Sequence, residues 1–258
     1  MDKSILVKII GFGATLIHGD FLVWDRWRWI KKYLPVTRNR ETLIDIGCGG
    51  GAFTIGAARR GYASIGLSWD ESVLSVAQER ARICHTDASF TIIDVRKLDE
   101  FDELKNRFDV AICCEVVEHI LNDRKLINDI AASLKCGGRL LLTTPYYYYK
   151  PMSNSDNGPF SKVEDGGHVR RGYTKSMLIE LAESAGLKVD EINSCSGYFS
   201  QKCTSLLRVI RPFVLGWIIV LPLRILPVLF DKFVSKMFGW PDYSICMVAY
   251  KPRIILGV

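Results

Sequence analysis

Two glutamates and a histidine lie close together in the segment CEVVEHILND, residues 114–123, at positions Glu115, Glu118 and His119. If this segment is helical, the three side chains share one face, where like charges at i and i+3 normally repel each other. Carboxylates grouped with an imidazole suit Mg²⁺, Mn²⁺, Co²⁺ or Zn²⁺, and a bound cation would turn the repulsion into attraction. Without a cation, His119 would act as a general base, or it would only cap or pack against its neighbours.

A glycine-rich segment, LIDIGCGGGAF at residues 43–53, gives a second chemical signal. It places Asp45 before Gly47, Gly49 and Gly51, between a strand-like run and a helical one. The glycines let the backbone pass close to a ligand, and the carboxylate can accept hydrogen bonds from it. Dinucleotide sites have Gly-x-Gly-x-x-Gly instead of this Gly-x-Gly-x-Gly spacing, so an NAD-binding oxidoreductase is the alternative and not the preferred interpretation.

Strand-like and helical runs alternate around these two segments. Hydrophobic patterning predicts strands at 42–47, 63–67, 89–95, 109–114, 139–144, 188–194 and 243–251. It predicts helices at 23–35, 53–60, 71–84, 123–135 and 173–187, with a helix stop at residues 136–138. This order predicts an α/β fold with a doubly wound, mostly parallel sheet. Such sheets bind ligands beyond the carboxyl ends of their strands, where both chemical segments would lie.

Several motifs occur in an order that resembles the class I S-adenosylmethionine-dependent methyltransferases. They are the D-x-G-x-G-x-G turn, then GLSWDESVL at 66–74 and IIDV at 92–95. The resemblance covers roughly residues 40–200 and the last strand. It implies a seven-stranded sheet whose sixth strand is parallel and whose seventh is antiparallel, and it implies S-adenosyl-L-methionine as the cofactor.

The resemblance also implies which residues bind this cofactor. Asp45 and the loop 47–51 would hold its methionine moiety and ribose, and Asp94 would contact the adenine amino group. Ser68 stands where the family usually has a ribose-binding acid, so Asp70 is expected to substitute for that acid or to cap the following helix. The whole predicted cofactor set is Asp45, Gly47, Cys48, Gly49, Gly51, Ser68, Trp69, Asp70, Asp94, Val95 and Glu115.

A second histidine joins the acidic segment through a further resemblance. The sequence TTPYYYY at 143–149, a loop ending in His168 and a helix start at Tyr173-Thr174 are similar to the small-RNA 3′-terminal 2′-O-methyltransferases, and the ubiquinone-pathway O-methyltransferases share these elements. The first group holds a divalent ion with four such side chains. The resemblance therefore implies a metal site of Glu115, Glu118, His119 and His168, with His119 and His168 as catalytic candidates. Without a metal, one of the two histidines would be the general base.

Both of these groups act on neighbouring hydroxyls, which suggests an acceptor. A hydroxyl is a poor nucleophile at pH 7, so its oxygen must lose its proton and align at about 3 Å from the methyl carbon. A cation that binds two adjacent oxygens lowers the hydroxyl pKa and fixes the angle of attack. We therefore expect O-methylation, with a vicinal diol or a catechol as the acceptor.

The 258 residues are expected to form a single domain, 1–258, with an N-terminal helical cap at 1–38 and an apolar helical insertion at 203–240. The stretch PFVLGWIIVLPLRILPVLF at 212–230 has Arg224 as its only charge. Three prolines interrupt it, and the chain must return to the sheet for its last strand. A lid or tunnel wall and a membrane-surface contact through 206–238 are therefore both expected ahead of a membrane span.

The composition of the chain limits which binding partners and which cellular compartment are expected. The net charge of +6 is dispersed, which permits an anionic partner without requiring nucleic acid. Trp24, Trp27 and Trp29 among basic residues could stack on RNA bases, but they fit better a helix that buries them, so RNA 2′-O-methylation stays an alternative. The apolar insertion favours a lipophilic small-molecule or lipid-linked acceptor. Eight cysteines without Cys-x-x-Cys, and an N-terminus without an evident cleavage site, indicate a cytoplasmic protein, peripheral at the membrane if the insertion touches lipid.

Overall fold

A seven-stranded sheet forms the centre of the protein in a computed structural model that describes residues 4–17, 22–210, 219, 222–223 and 225–253, with the backbone alone at 154–155. The strands are β1 Thr42–Ile46, β2 Ala63–Ser68, β3 Ser89–Ile92, β4 Phe108–Cys114, β5 Leu134–Pro145, β6 Lys188–Cys195 and β7 Ser244–Tyr250. Their order is β3-β2-β1-β4-β5-β7-β6. All neighbours from β3 to β5 are parallel, whereas β7 is antiparallel to β5 and β6. The predicted doubly wound, mostly parallel sheet is confirmed.

Helices cover both faces of this sheet. They are α1 Ile5–Ile10, α2 Leu22–Tyr33, α3 Ala52–Ala58, α4 Glu71–Ile83, α5 Asp123–Ser133, α6 Lys175–Ser184, α7 Tyr198–Val209 and α8 Ile225–Met237. Because successive strand residues point to opposite faces, Ile44 of β1 packs in the core cluster that includes α5 and α6, while Leu43 packs in the cluster that includes α2, α3 and α7. Burial on both faces explains the continuous apolar runs of the central strands.

Two predicted strand boundaries, the start of β5 and the end of β3, are wrong by three residues or more. Residues 136–138 are not a helix stop, because α5 already ends at Ser133 and β5 begins at Leu134. Gly137 has a φ of 84°, and its N–H donates to the Lys251 carbonyl at 2.8 Å, so the glycines form an irregular start to a strand. Strand β3 ends at Ile92, three residues early, because Asp94 caps a 3₁₀ turn by accepting from the Arg96 N–H.

The N-terminal helix α2 buries two of its tryptophans, as its pattern predicts. Trp27 and Trp29 are buried, and the Trp27 ring stacks on Phe53 of α3 with centroids 6.4 Å apart. Gly56 of α3 lies directly under the Trp27 ring, where a Cβ atom would collide with it. These rings are therefore core residues and cannot stack on nucleic-acid bases.

The predicted insertion, 203–240, contains the second half of α7 and all of α8, and the two helices pack against each other before the chain returns to β7. The residues that connect them, 211–218, 220–221 and 224, lie outside the described part of the chain. Among the residues that the structure describes, no helix has the length and apolarity needed to cross a bilayer.

Candidate active site

The glycine-rich turn follows β1 and leads into α3. Gly47, Gly49 and Gly51 all have left-handed backbones, with φ of 71°, 50° and 79°. A Cβ atom at Gly47 would lie 2.6 Å from a methyl carbon of Val116, whereas one at Gly49 would meet nothing within 4 Å. Gly47 is therefore required by close packing, and Gly49 leaves open space above the backbone for a ligand.

Asp45 lies underneath this turn and is fully buried. Its Oδ2 accepts a hydrogen bond of 2.6 Å from the Thr54 hydroxyl of α3. Burial raises the pKa of Asp45 from 3.8 to about 7, and it also raises the pKa of the neighbouring Cys48 thiol. The Asp45 side chain thus connects β1 to α3 from below the turn.

The ends of β2 and β3 place the next predicted residues. Asp70 caps α4, because its Oδ1 accepts from the backbone N–H groups of Ser72 and Val73 at 2.9 and 3.2 Å, which confirms the predicted helix cap. Asp94 forms an ion pair of 2.5 Å with Arg96, and this guanidinium holds the pKa of Asp94 below its usual value.

A cavity of about 390 Å³ joins these elements at the carboxyl ends of the parallel strands. It is lined by eight of the predicted cofactor residues and by one of the two catalytic candidates: Gly47, Gly49, Ser68, Trp69, Asp70, Asp94, Val95 and Glu115, together with His119. Asp45, Cys48 and Gly51 are not in its lining, and their contact with a cofactor stays a prediction. The structure thus brings the glycine turn and the acidic segment to one cavity.

Glu115 departs from the predicted metal set. Its φ of 53° turns the chain immediately after β4, so no α-helix forms at 115–119 and the expected shared face is lost. The Glu115 carboxylate is instead held by the Arg26 guanidinium at 3.1 Å, the Thr143 hydroxyl at 3.0 Å and the Ser244 hydroxyl at 3.2 Å. Among the described residues, Glu115 is not in the group of side chains that converge, and its part in a metal site of four residues stays a prediction.

The other three predicted ligands do converge. Glu118 and His119 lie on a short 3₁₀ turn, Val117–His119, and His168 reaches them from the loop before α6. One ligand atom from each of the three side chains lies within 4.8 Å of the other two. The two imidazole rings meet edge to face with centroids 4.6 Å apart. Residues 50 positions apart are thus brought into one group beside the cavity.

Burial changes the pKa values of two side chains in this group. Burial, reinforced by the nearby Glu115 carboxylate, raises the pKa of Glu118 well above its usual value. Its Oε2 accepts from the Thr144 hydroxyl at 3.1 Å, but its Oε1 has no hydrogen-bond partner among the described residues. Burial next to His119 lowers the pKa of His168 to about 4, so this imidazole is neutral at pH 7.

The Gly167 carbonyl determines which ring nitrogen of neutral His119 carries the proton. Its Nδ1 lies 3.0 Å from the Gly167 carbonyl oxygen, which can only accept a hydrogen bond, so Nδ1 carries the proton when the ring is neutral. The lone pair is then on Nε2, 3.9 Å from Oε1 of Glu118. His119 therefore directs an acceptor atom, fit for a proton or for a metal ion, toward the buried carboxylate.

Sequence reasoning missed two residues that shape the cavity. Glu164 lines it from the loop before α6 and binds two partners, the Arg96 guanidinium at 2.8 Å and the Leu121 N–H at 2.6 Å. Arg26 reaches Glu115 from α2, almost ninety positions earlier in the chain. Neither has a spacing signal, because both act through contacts between distant segments.

Comparisons with known proteins agree with this architecture. A family model described as a methyltransferase domain matches residues 20–192. The ubiquinone biosynthesis O-methyltransferase of Coxiella burnetii (strain RSA 331 / Henzerling II) is 28% identical over 167 residues, which cover 62% of this chain and 70% of that protein. The protein of the same name from Pseudoalteromonas translucida is 31% identical over 156 residues, 58% of this chain and 64% of its own.

Solved structures show the same fold. Phosphoethanolamine N-methyltransferase 2 of Haemonchus contortus, in complex with S-adenosyl-L-methionine, superposes with a TM-score of 0.65 at 18% identity, over 98% of this chain and 60% of that one. The [4+2]-cyclase SpnF superposes with a TM-score of 0.59 at 19% identity, over 90% and 83%. At such identities the likeness concerns the fold alone. The family model covers most of the chain, and on that match the chain belongs to the class I S-adenosylmethionine-dependent methyltransferases.

Proposed function

We propose that this methyltransferase acts on a hydroxyl oxygen, in a catechol or vicinal diol, of a hydrophobic small molecule or a lipid-linked acceptor. The observation that carries the proposal is the cavity that has the glycine turn in one wall and His119 in another. The same cavity is therefore lined both by the glycine turn that would bind a cofactor and by a side chain that can accept a proton. The curated relatives that are named O-methyltransferases support the choice of oxygen.

The cavity fits S-adenosyl-L-methionine by its own chemistry. Open space above Gly49 allows a ligand to lie against the backbone, and Asp70, Asp94 and Ser68 give polar groups along the wall. Val95 and Trp69 offer apolar surface for a planar base. The bound cofactor supplies a methyl group on a positively charged sulfur. The protein must therefore bring an acceptor oxygen to that carbon and remove its proton.

His119 is the candidate for the proton. The Gly167 carbonyl holds its Nδ1–H, so the Nε2 lone pair is available to a hydroxyl that enters the cavity. His168, neutral and in edge contact with His119, adds a second imidazole beside the same space. A base at this position makes the oxygen a stronger nucleophile at the moment of transfer.

A divalent cation also fits Glu118, His119 and His168. The unpartnered buried oxygen of Glu118, a neutral His168 and the Nε2 acceptor of His119 form a set of one carboxylate and two imidazoles. These three residues would hold the ion, and the ion would lower the pKa of a hydroxyl bound to it. Three protein ligands would leave further coordination positions for acceptor oxygens.

Apolar side chains near His119 would form the acceptor side of the cavity. Val116 and Ile120 are in the same lining as His119. The tyrosines that follow β5 at the same edge of the sheet include Tyr147 and Tyr148, both exposed. These surfaces suit an aromatic or aliphatic acceptor, and Trp27 and Trp29 of α2 are buried, so they cannot stack on the bases of an RNA acceptor.

A turnover assay tests the proposal. Purified protein is incubated with S-adenosyl-L-methionine and an isoprenoid-substituted catechol, and S-adenosylhomocysteine and the methyl ether are measured by mass spectrometry. We expect transfer to this acceptor, and a loss of at least about 10²-fold in kcat for His119→Asn. The exposed His85→Asn variant is the matched control and should keep full activity. Methylation of nitrogen or carbon acceptors only, or full activity in His119→Asn, would overturn the proposal.

A further inference from the structure

Helix α8 presents its apolar side chains outward instead of burying them. Leu229, Phe233 and Met237 are 61%, 67% and 57% exposed, and their neighbours extend the same surface. The α8 face is made of Ile225, Val228, Leu229, Phe230, Phe233 and Met237. Monomeric proteins in water rarely leave a continuous apolar surface of this kind without a partner.

The inward side of α8 is polar and fixes the helix in this orientation. Asp231 accepts from the N–H groups of Gly197 and Phe199, and from the Ser200 hydroxyl at 2.7 Å, so it caps the first turn of α7. The Ser235 hydroxyl accepts from the Tyr198 N–H at 2.9 Å. Rotating α8 to bury its apolar face would break all of these bonds. These hydrogen bonds therefore hold the apolar side chains of α8 in their outward orientation.

Two lysines of α8 border the α8 face. The only acidic residue of α8 is Asp231, which faces inward, while Lys232 and Lys236 are exposed. These two lysines line a cleft of about 590 Å³ with Lys175, Trp240 and Asp242. Asp242, the acidic group of this lining, accepts from the Ser194 hydroxyl at 2.5 Å, and burial raises its pKa. Lys150 and Lys202 stack on the Trp240 ring, with Nζ 4.1 and 4.7 Å from its centroid.

We propose that the α8 face docks on the surface of an anionic phospholipid bilayer. An exposed apolar face bordered by lysines has the pattern of a helix that lies in the plane of the interface. The apolar side chains would enter the acyl boundary, and the lysines would meet phosphate groups of the lipids. Charge complementarity selects a bilayer over a second copy of this chain, because two copies facing each other would bring their lysines together.

Helix α7 connects the α8 face to the loop that carries His168. Arg208 near the end of α7 pairs with Asp156 at 3.9 Å, and Asp156 belongs to the loop that continues to His168. If the proposed acceptor is lipid-linked, docking would hold the cavity close to the layer that contains it. This last step rests on the proposed function, whereas the docking itself does not.

Vesicle flotation tests the docking without cofactor or acceptor. The full chain is mixed with phosphatidylcholine vesicles, or with vesicles that also contain phosphatidylglycerol, at low salt. We expect binding to the anionic vesicles, and a loss of about tenfold or more in Phe233→Glu and in Lys232→Glu/Lys236→Glu, since each basic residue near an anionic surface contributes roughly fivefold. Val36→Glu and Lys188→Glu, exposed residues outside the α8 face, are the matched controls and should bind normally.

Three results would overturn the proposal. The first is that the wild-type chain stays unbound with both kinds of vesicle. The second is that Phe233→Glu floats like wild type. The third is that sedimentation reveals a dimer that Phe233→Glu dissociates, with no vesicle binding, which would make the face a self-association surface. Turnover of a water-soluble catechol by Phe233→Glu separates these outcomes from a failure of the proposed function, because that activity should be unchanged.

Discussion

Arg26 of α2 and Glu115 after β4 form an ion pair, with Nη2 3.1 Å from Oε2, and both side chains are largely buried. The pair connects the N-terminal helix to the cavity wall, since Glu115 lines the cavity and also accepts from Thr143 and Ser244. Burial makes each charge dependent on the other, because water cannot replace a missing partner.

Removing one member of this pair should destabilise the protein strongly. Arg26→Met leaves the Glu115 carboxylate buried without its cation, and we expect the free energy of unfolding to fall by about 3 kcal/mol. The double variant Arg26→Met/Glu115→Gln should recover much of this loss because no isolated charge remains. Urea denaturation measures both effects. Lys31→Met, an exposed position on the same helix, should change stability by less than about 0.5 kcal/mol. Additive losses in the double variant would show that the two side chains are not coupled.

The sheet was predictable because its signals are local. Apolar runs separated by helical periodicity identify β1, β2 and β4 nearly to the residue, and the glycine turn is identified by its spacing alone. The start of β5 was missed because Cys136, Gly137 and Gly138 look like a helix stop, and only pairing with Lys251 at the far end of the chain makes them a strand.

The acidic segment shows why a site is harder to predict than a sheet. Its spacing predicts one helical face for Glu115, Glu118 and His119. The backbone at Glu115 is left-handed instead, so the Glu115 carboxylate contacts Arg26, whereas the side chains of Glu118 and His119 converge with His168. A φ of 53° at a glutamate is not visible in the sequence. It is stabilised by the Glu115 N–H donating to the Thr143 carbonyl, a contact between β4 and β5.

Two glycines of the turn should respond differently to the same substitution. Gly49→Ala adds a methyl group in the open space of the cavity wall, so we expect S-adenosylhomocysteine to bind at least about tenfold more weakly, with a backbone cost near 1 kcal/mol. Gly47→Ala should mainly lower stability, because its methyl would lie 2.6 Å from Val116. Calorimetric titration and thermal unfolding separate the two effects.

Gly186→Ala is the control for these glycine variants. Its φ of 73° carries the same backbone cost, nothing lies within 4 Å of the added methyl, and it is outside the cavity lining. It should lose stability without losing affinity. Wild-type affinity in Gly49→Ala would place the cofactor elsewhere.

Stability should depend on pH through Asp45. Its pKa is raised to about 7 in the folded chain from an ordinary 3.8, so between these values the folded state binds a proton that the unfolded state has released. Stability from this group is therefore highest at low pH and falls as the pH rises through 4 to 7. Asp45→Asn keeps an acceptor for the Thr54 hydroxyl without the charge. It should raise the unfolding free energy at pH 8 by on the order of 2 kcal/mol and change it little at pH 4. An equal change at both pH values would contradict the burial of this carboxyl group.

Divalent-ion binding can be measured apart from turnover. Titration of the metal-free protein with Mn²⁺ or Co²⁺ should reveal one site, and Glu118→Gln should weaken it by about tenfold or more because the charged ligand is lost while its shape remains. Binding should strengthen as the pH rises, since the raised pKa of Glu118 means that the ion must displace a proton.

Glu115→Gln is the informative comparison, because the Glu115 carboxylate contacts Arg26 and lies outside the converging group. It should change ion affinity by less than about threefold in a folded sample. Equal weakening by both variants would indicate that Glu115 is a fourth ligand of the ion. If the wild-type chain binds no ion, His119 would have to remove the hydroxyl proton without a metal.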